Sequence, residues 1–304
     1  MPHETVPAAR AAHPVDRIAL GAFWLFTIVS VAGYATFGRH PELLARVPNA
    51  MDTYAIAFTF FPRAHVLLAF GVLALLLVRL AGLRWLPAFA AVYAISLASE
   101  LLGTTVGLPF GAYAYTDGLG PKWFGHVPLL IPLSWFFMAL PSWLLARRAL
   151  PDAMRRGPRG AALGIVGGSL VLLAWDLALD PAMSWVTKYW VWGSEGPYYG
   201  MPFLNLFGWY VTGLAIMAAF AALRADEWGA RLPSRWLLAF WLANFALPLG
   251  MMAAAGLAWG VAVSVAGALL AFAWPRLLPA GARGADAVRA PRSPASRAPS
   301  EEAA

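Results

Sequence analysis

The chain has 304 residues, 61% hydrophobic and 12% charged, with a mean hydropathy of +0.65 and a formal charge of +7. A soluble domain carries about a quarter charged residues, so this composition excludes one and points to lipid. The absence of cysteine excludes a disulfide framework, thiolate chemistry and a cysteine-based metal site.

Residues 1–16 are polar and read as a disordered segment. The first span is expected over 18–37, about 20 residues, enough to cross a hydrocarbon core of about 30 Å. No short apolar region followed by a small-residue cleavage site marks it for removal, so a retained span is expected. Residues 38–62 mix polar and apolar character and suggest an interfacial helix. Further spans are expected over 64–80, 86–105, 127–146, 161–179 and 203–223. The apolar run 236–275 is too long for one crossing and splits near Ala254-Ala255-Gly256 into two more. The Ala/Arg/Pro/Ser composition of 280–304 reads as a disordered tail. The fold expected is an all-α integral membrane protein, a single bundle of about eight transmembrane helices over 17–279.

With both termini cytoplasmic, Arg39, Arg46, Arg63, Lys122 and Lys188 fall outside, and the other 17 of the 22 basic residues fall inside. That bias is the one that sets orientation in a cell membrane. It also accounts for the positive charge without nucleic acid, for which the chain offers no basic helix face.

Two stretches repeat a pattern at an offset of about 74–77 residues. Glu100 aligns with Asp176, Tyr113-Ala114-Tyr115 with Trp190-Val191-Trp192, Gly120-Pro121 with Gly196-Pro197, Pro128 with Pro202, and Trp135 with Trp209. Each copy is an apolar run ending in an acid, an aromatic Gly/Pro loop and a second run. A duplicated, parallel helix–loop–helix unit is expected over about 86–148 and 160–224, with both loops on the non-cytoplasmic side.

Glu100, Asp176 and Asp180 are the acids at membrane depth; Asp52, Asp117 and Glu195 lie in outer segments. An ionisable group in a span costs roughly 2.5–3.5 kcal/mol on insertion scales and faces the bundle interior. The plain alternative is that these acids cap helices or pair with Lys122 and Lys188. Asp180 precedes Pro181, where a helix is expected to end. Asp176 and Asp180 are four apart and so share a helical face. Two carboxyls held close in a low-dielectric site do not both ionise easily, which leaves one with a proton to donate.

Trp and Tyr gather at membrane interfaces for solvation reasons alone. Even so, Tyr189, Trp190, Trp192, Tyr198 and Tyr199 crowd into eleven positions, denser than an anchoring belt needs. With Tyr113, Tyr115, Trp135, Trp175 and Trp209 they form a candidate binding surface, since aromatic faces stabilise cations and suit a conjugated chain. Asn205 is a candidate for orienting a water. Thr104-Thr105 read as capping groups and His126 as a loop histidine; Gly167-Gly168, Gly208 and Gly213 suit close helix packing. No phosphate-cradling loop, HExxH or G-x-S-x-G motif is present, so no metal or cofactor is expected.

At these residues the chain resembles the membrane carotenoid-biosynthesis protein family, whose characterised members are carotenoid 1′,2′-hydratases, including bisanhydrobacterioruberin hydratases. The matching segments are 100–122, 127–135, 175–184 and 196–213, about a third of the chain. The resemblance implies cofactor-independent addition of water to the terminal double bond of an acyclic ψ-end group. Its implied partners are a carotenoid, water and the bilayer, with other membrane enzymes of the pathway as candidates. On this reading Asp176 or Asp180 is the general acid, and Glu100, with Asn205, holds the water. Two alternatives stand beside it: a membrane lycopene cyclase, in which an internal double bond captures the cation, and a carotenoid- or lipid-binding or transport protein.

Overall fold

The computed structural model describes residues 13–46 and 48–277. The expected disordered tail lies outside these, as do residues 1–12 of the expected disordered segment. Helix α1 (Pro14–Gly33) starts earlier than its hydropathy suggests, because His13 caps it, Pro14 opens it and buried Asp16 pairs with Arg79 at 2.9 Å. It continues into a π-helical turn, Tyr34–Gly38, and a short 3-10 turn, Pro41–Arg46.

Helix α2 (Ala50–Ala81) corrects the expected layout. Residues 50–62 form its first turns, and the helix runs through Pro62 without ending. Proline is tolerated inside a membrane helix where neighbours and local adjustment satisfy the freed carbonyl. Arg63, one residue on, then reaches across to donate to the carbonyls of Gly118 (2.9 Å) and Asp117 (3.1 Å).

Helix α3 (Leu86–Val106) leads into the first aromatic loop, which holds strands β1 (Tyr113–Tyr115), β2 (Lys122–Trp123) and β3 (Val127–Pro128). The fourth span was expected from residue 127. Helix α4 (Ile131–Ala149) starts later, because Val127 and Pro128 pair with β2 and Pro132 sits in the helix's first turn. After the short α5 (Asp152–Arg155), α6 (Gly157–Asp180) ends in a π-helical turn, Pro181–Val186, and the second loop carries β4 (Trp190–Trp192). Then follow α7 (Phe203–Ala222), short α8 (Ala225–Gly229), α9 (Ser234–Ala254) and α10 (Ala258–Ala273). The α9–α10 break falls where expected, at Gly256 with φ of 77°.

Seven of these helices are long and apolar enough to cross a membrane. The eighth long helix, α4, is enclosed by protein: Trp135 to Leu144 are all buried. A helix that faces protein rather than lipid needs no lipid-like composition. The protein is thus an all-α, multi-span membrane protein. Helices α3, α4, α6 and α7 pack on one another as an inner four-helix group, with α2 and α9 against α4, α1 against α2 and α9, and α10 against α6. Small residues permit the close contacts. A Cβ on Gly168 would meet Met217 Sδ at 2.8 Å, and one on Gly213 would meet Ser169 Cβ at 3.3 Å.

At the end opposite the aromatic loops, arginines clamp the helix ends. Arg147 pairs with Asp226 at 2.8 Å, and Arg148 donates to the carbonyls of Leu232 (2.7 Å) and Gly229 (2.8 Å).

Candidate active site

The two aromatic loops meet. Strands β1 and β4 pair antiparallel, with Tyr113 opposite Trp192, Ala114 opposite Val191 and Tyr115 opposite Trp190. Alternation along a strand puts the four large rings on one face, turned into the protein, and leaves Ala114 and Val191 exposed. The rings pack edge to face or tilted: Tyr113 on Tyr115 at 5.5 Å, Tyr113 on Trp192 at 5.4 Å and Tyr115 on Trp190 at 5.8 Å. Beneath them Trp135 and Trp209 stack at 4.0 Å. Two aligned pairs of the sequence pattern thus meet directly, Ala114 with Val191 and Trp135 with Trp209, whereas the antiparallel pairing crosses the aligned outer rings.

Glu100 lies near the end of α3, 4% exposed. Its Oε2 accepts from the Tyr113 hydroxyl and, at 2.8 Å, from the Tyr115 hydroxyl; its Oε1 accepts from Trp135 Nε1 at 2.9 Å. Tyr113 reaches it because residue 103 is glycine: a Cβ there would stand 2.8 Å from the Tyr113 ring and 2.8 Å from Phe110. Burial, reinforced by the Glu100 carboxyl, pushes both phenols well above their ordinary value, so they are constant O–H donors. A carboxylate offers about four lone-pair sites. Three are occupied, which leaves one for a further donor.

The second half supplies a different set. Asp176 and Asp180, one turn apart on α6, are 0% and 2% exposed. Asn205, in the first turn of α7, points its amide nitrogen at both, donating to Asp176 Oδ2 at 3.1 Å and to Asp180 Oδ2. Asp176 Oδ1 is buried without a hydrogen-bond partner. Among the described residues no ion pair involves Glu100, Asp176 or Asp180: Lys122 is taken by Asp117 at 2.9 Å and by the Tyr115 carbonyl at 2.8 Å, and Lys188 is exposed. The lysine-pairing alternative does not describe these acids.

A cavity of about 30 Å³ lies between the two sets. It is lined by Glu100, Asp180 and Asn205 and by the rings of Tyr113, Tyr115, Trp135, Trp190, Trp192 and Trp209. That volume holds water, since about 10–15 Å³ suffices for one molecule with polar partners. Asp176 stands behind Asp180 and does not line the cavity.

Four expected aromatics lie elsewhere. Tyr189 turns away from the cavity and donates to the Phe58 carbonyl at 2.9 Å. Trp175 donates to the Asn244 carbonyl at 3.2 Å and packs edge-on against Trp209. Tyr198 donates to the Leu177 carbonyl at 2.9 Å, and the Tyr199 hydroxyl accepts from Gly260 N at 3.0 Å, so this pair ties the second loop to α6 and α10. His126 is exposed in the β2–β3 turn, away from the site. Thr104 and Thr105 donate back to the carbonyls of Glu100 (2.8 Å) and Leu101 (2.5 Å) within their own helix. Phe110 and Ser134 line the cavity without having been singled out from the sequence; the signal for Phe110 was its place in the aromatic loop.

The sequence profile of the family described as "Carotenoid biosynthesis protein" matches residues 61–271, which include every residue lining the cavity. The chain belongs to this family. It is 29% identical over 201 residues to the bisanhydrobacterioruberin hydratase of Haloarcula japonica, a match covering 65% of this chain and 64% of that protein. The chain thus spans just under two thirds of that relative's length. No solved structure matches.

Proposed function

We propose that the protein is a carotenoid 1′,2′-hydratase, adding water across the terminal double bond of an acyclic ψ-end group. The observation that carries this reading is the water-sized cavity between Asp180 and Glu100, walled by aromatic side chains, with no Lys or Arg among the residues that line it. Water is the second substrate of a hydration, and the site has room for it beside an acid and an acceptor.

Asp180 is the general acid, in place of either aspartate as the sequence left it, because it lines the cavity and Asp176 does not. Its carboxyl proton passes to C2′ of the terminal bond, and the electron pair of that bond forms the new C–H bond. The positive charge rests on tertiary C1′, where the faces of Tyr113, Tyr115, Trp190 and Trp192 stabilise it. A water on the free lone pair of Glu100 bonds to C1′ through oxygen and gives its proton to that carboxylate. Proton return from Glu100 to Asp180 restores the start, and the net change is one H and one OH added. Asn205 is the positioning group, holding Asp180 against Asp176. The reading needs no cofactor.

The distribution of basic residues supports placing both termini on the cytoplasmic side of a prokaryotic cell membrane, with the site near the outer face. Coexpression with an acyclic-carotenoid pathway in a pigment-free bacterium tests the function. The expected product is heavier by one or two waters with an unchanged chromophore, because the terminal bond lies outside the conjugated system. An isomer of unchanged mass would mean cyclisation, and recovery of unaltered pigment from every acyclic substrate offered would mean a binding protein.

A further inference from the structure

The cavity beside the acids has room for water and not for a polyene, yet a far larger one adjoins it. A groove of about 550 Å³ lies between the end of α1, the first turns of α2, the π-helical turn after α6, and α9. That size falls within the range of small-molecule sites. Six rings line it: Tyr34, Phe37, Tyr54, Phe58, Phe61 and Tyr189. Several of its polar groups are already spent, since Ser30, Thr53 and Tyr189 donate to the carbonyls of Phe26 (2.8 Å), Asn49 (3.1 Å) and Phe58 (2.9 Å). Half-exposed Val29 and Phe37 form its mouth toward lipid.

The groove and the acid cavity share a wall. Met183 and Tyr189 line the groove, whereas Asp180 and Trp190 line the cavity. Asp180 and Met183 are one helical turn apart, about 5 Å along the axis, and Tyr189 and Trp190 are successive residues facing opposite ways. The Tyr189 amide donates to the Met183 carbonyl at 2.7 Å, which fixes the wall's backbone. Its removable part is the Met183 side chain, unbranched and adaptable. We infer that the groove binds the polyene arm of an acyclic carotenoid and delivers its terminus past Met183 to Asp180. A rigid conjugated chain loses little conformational freedom on entering a preformed slot, where a flexible acyl chain loses more. The slot's six aromatic rings suit a conjugated chain. The assignment of chemistry at the terminus rests on the hydratase reading; the binding site does not.

Most of the groove's lining precedes residue 61, where the family match begins. Ala57 lines it from α2 and can be enlarged into open space. Full-length protein carrying Ala57→Leu or Ala57→Trp, purified from lycopene-producing cells, is compared with wild type for pigment retained per protein. The same proteins are assayed with a long acyclic carotenoid and with a C10–C15 isoprenoid bearing the same terminus. The expected result is a graded loss, at least tenfold for Trp, in retained pigment and in the ratio of long- to short-substrate turnover. Equal pigment retention in all three proteins overturns the inference, as does a constant ratio. A phospholipid held in the groove that added pigment fails to displace also overturns it. If wild type retains pigment but adds no water, the hydratase reading fails, and the retention comparison still decides the binding site.

Discussion

Replacing Asp180 by Asn preserves the side chain's shape and removes the proton that the mechanism transfers. The fold has little reason to change. The new amide can turn its oxygen toward Asn205, whose nitrogen now donates to Asp180 and, at 3.1 Å, to Asp176; the protonated carboxyl it replaces is equally neutral, so the hydrogen bond changes by no more than about 1 kcal/mol. Turnover has much more to lose. A positioned general acid contributes about 10²–10⁴ in rate, and at 1.36 kcal/mol per decade that is about 2.7–5.4 kcal/mol of barrier. Asp176→Asn is the matched comparison, because Asp176 shares the same amide but lies behind the cavity wall; a loss of about tenfold is expected there. The assay is mass-resolved pigment analysis over time, normalised to protein in the membrane. Turnover in Asp180→Asn within threefold of wild type, or a greater loss in Asp176→Asn, would refute the assignment of Asp180 as the acid.

Glu100→Gln leaves one of three buried donors facing an N–H, a cost of about 1–3 kcal/mol. It also removes the final proton acceptor, so a lower melting temperature in detergent and a turnover loss beyond tenfold are expected together; normal values of both would contradict the cage. Gly103→Ala puts a methyl 2.8 Å from two rigid rings and should destabilise by about 1–3 kcal/mol, read as a fall in melting temperature with disturbed tyrosine absorbance. The phenols of Tyr113 and Tyr115 have values raised above 10 in the folded protein, so the stability they contribute is complete below pH 10 and is lost only as pH rises toward those values. A Tyr113→Phe/Tyr115→Phe double variant should show a shallower alkaline fall in a pH titration of stability, the remainder coming from other buried phenols such as Tyr189, and a fall as steep as in wild type would assign all of it elsewhere.

The spans were legible because apolar runs of membrane length have few other uses, and the α9–α10 break showed in Ala254-Ala255-Gly256. The start of α2 was not, since Asp52, Thr53 and Pro62 break the hydrophobic signal where the helix lies against the aromatic loops. The rings at Tyr54, Phe58 and Phe61, spaced by four and three, were the overlooked sign of a helical face there. Alternation in Tyr113-Ala114-Tyr115 and Trp190-Val191-Trp192 was visible, and so was their alignment; that they pair with each other depends on how α3 and α7 pack, which local pattern does not encode. The four-residue spacing of Asp176 and Asp180 placed them on one face. Which of them lines the cavity depends on the rotation of α6 against α7. Crowding of Tyr198 and Tyr199 with other aromatics suggested substrate contact, whereas both hydroxyls are bonded to neighbouring helices.

Because the strands that align in the two stretches of sequence lie against each other, the repeated pattern frames one shared cavity and not a pair. On the proposed hydratase reading, an acyclic carotenoid with two identical termini has one of them served per visit. It would then have to leave, reverse end for end and enter again, so the singly modified pigment should build up early in a time course and decline only as the starting pigment is exhausted.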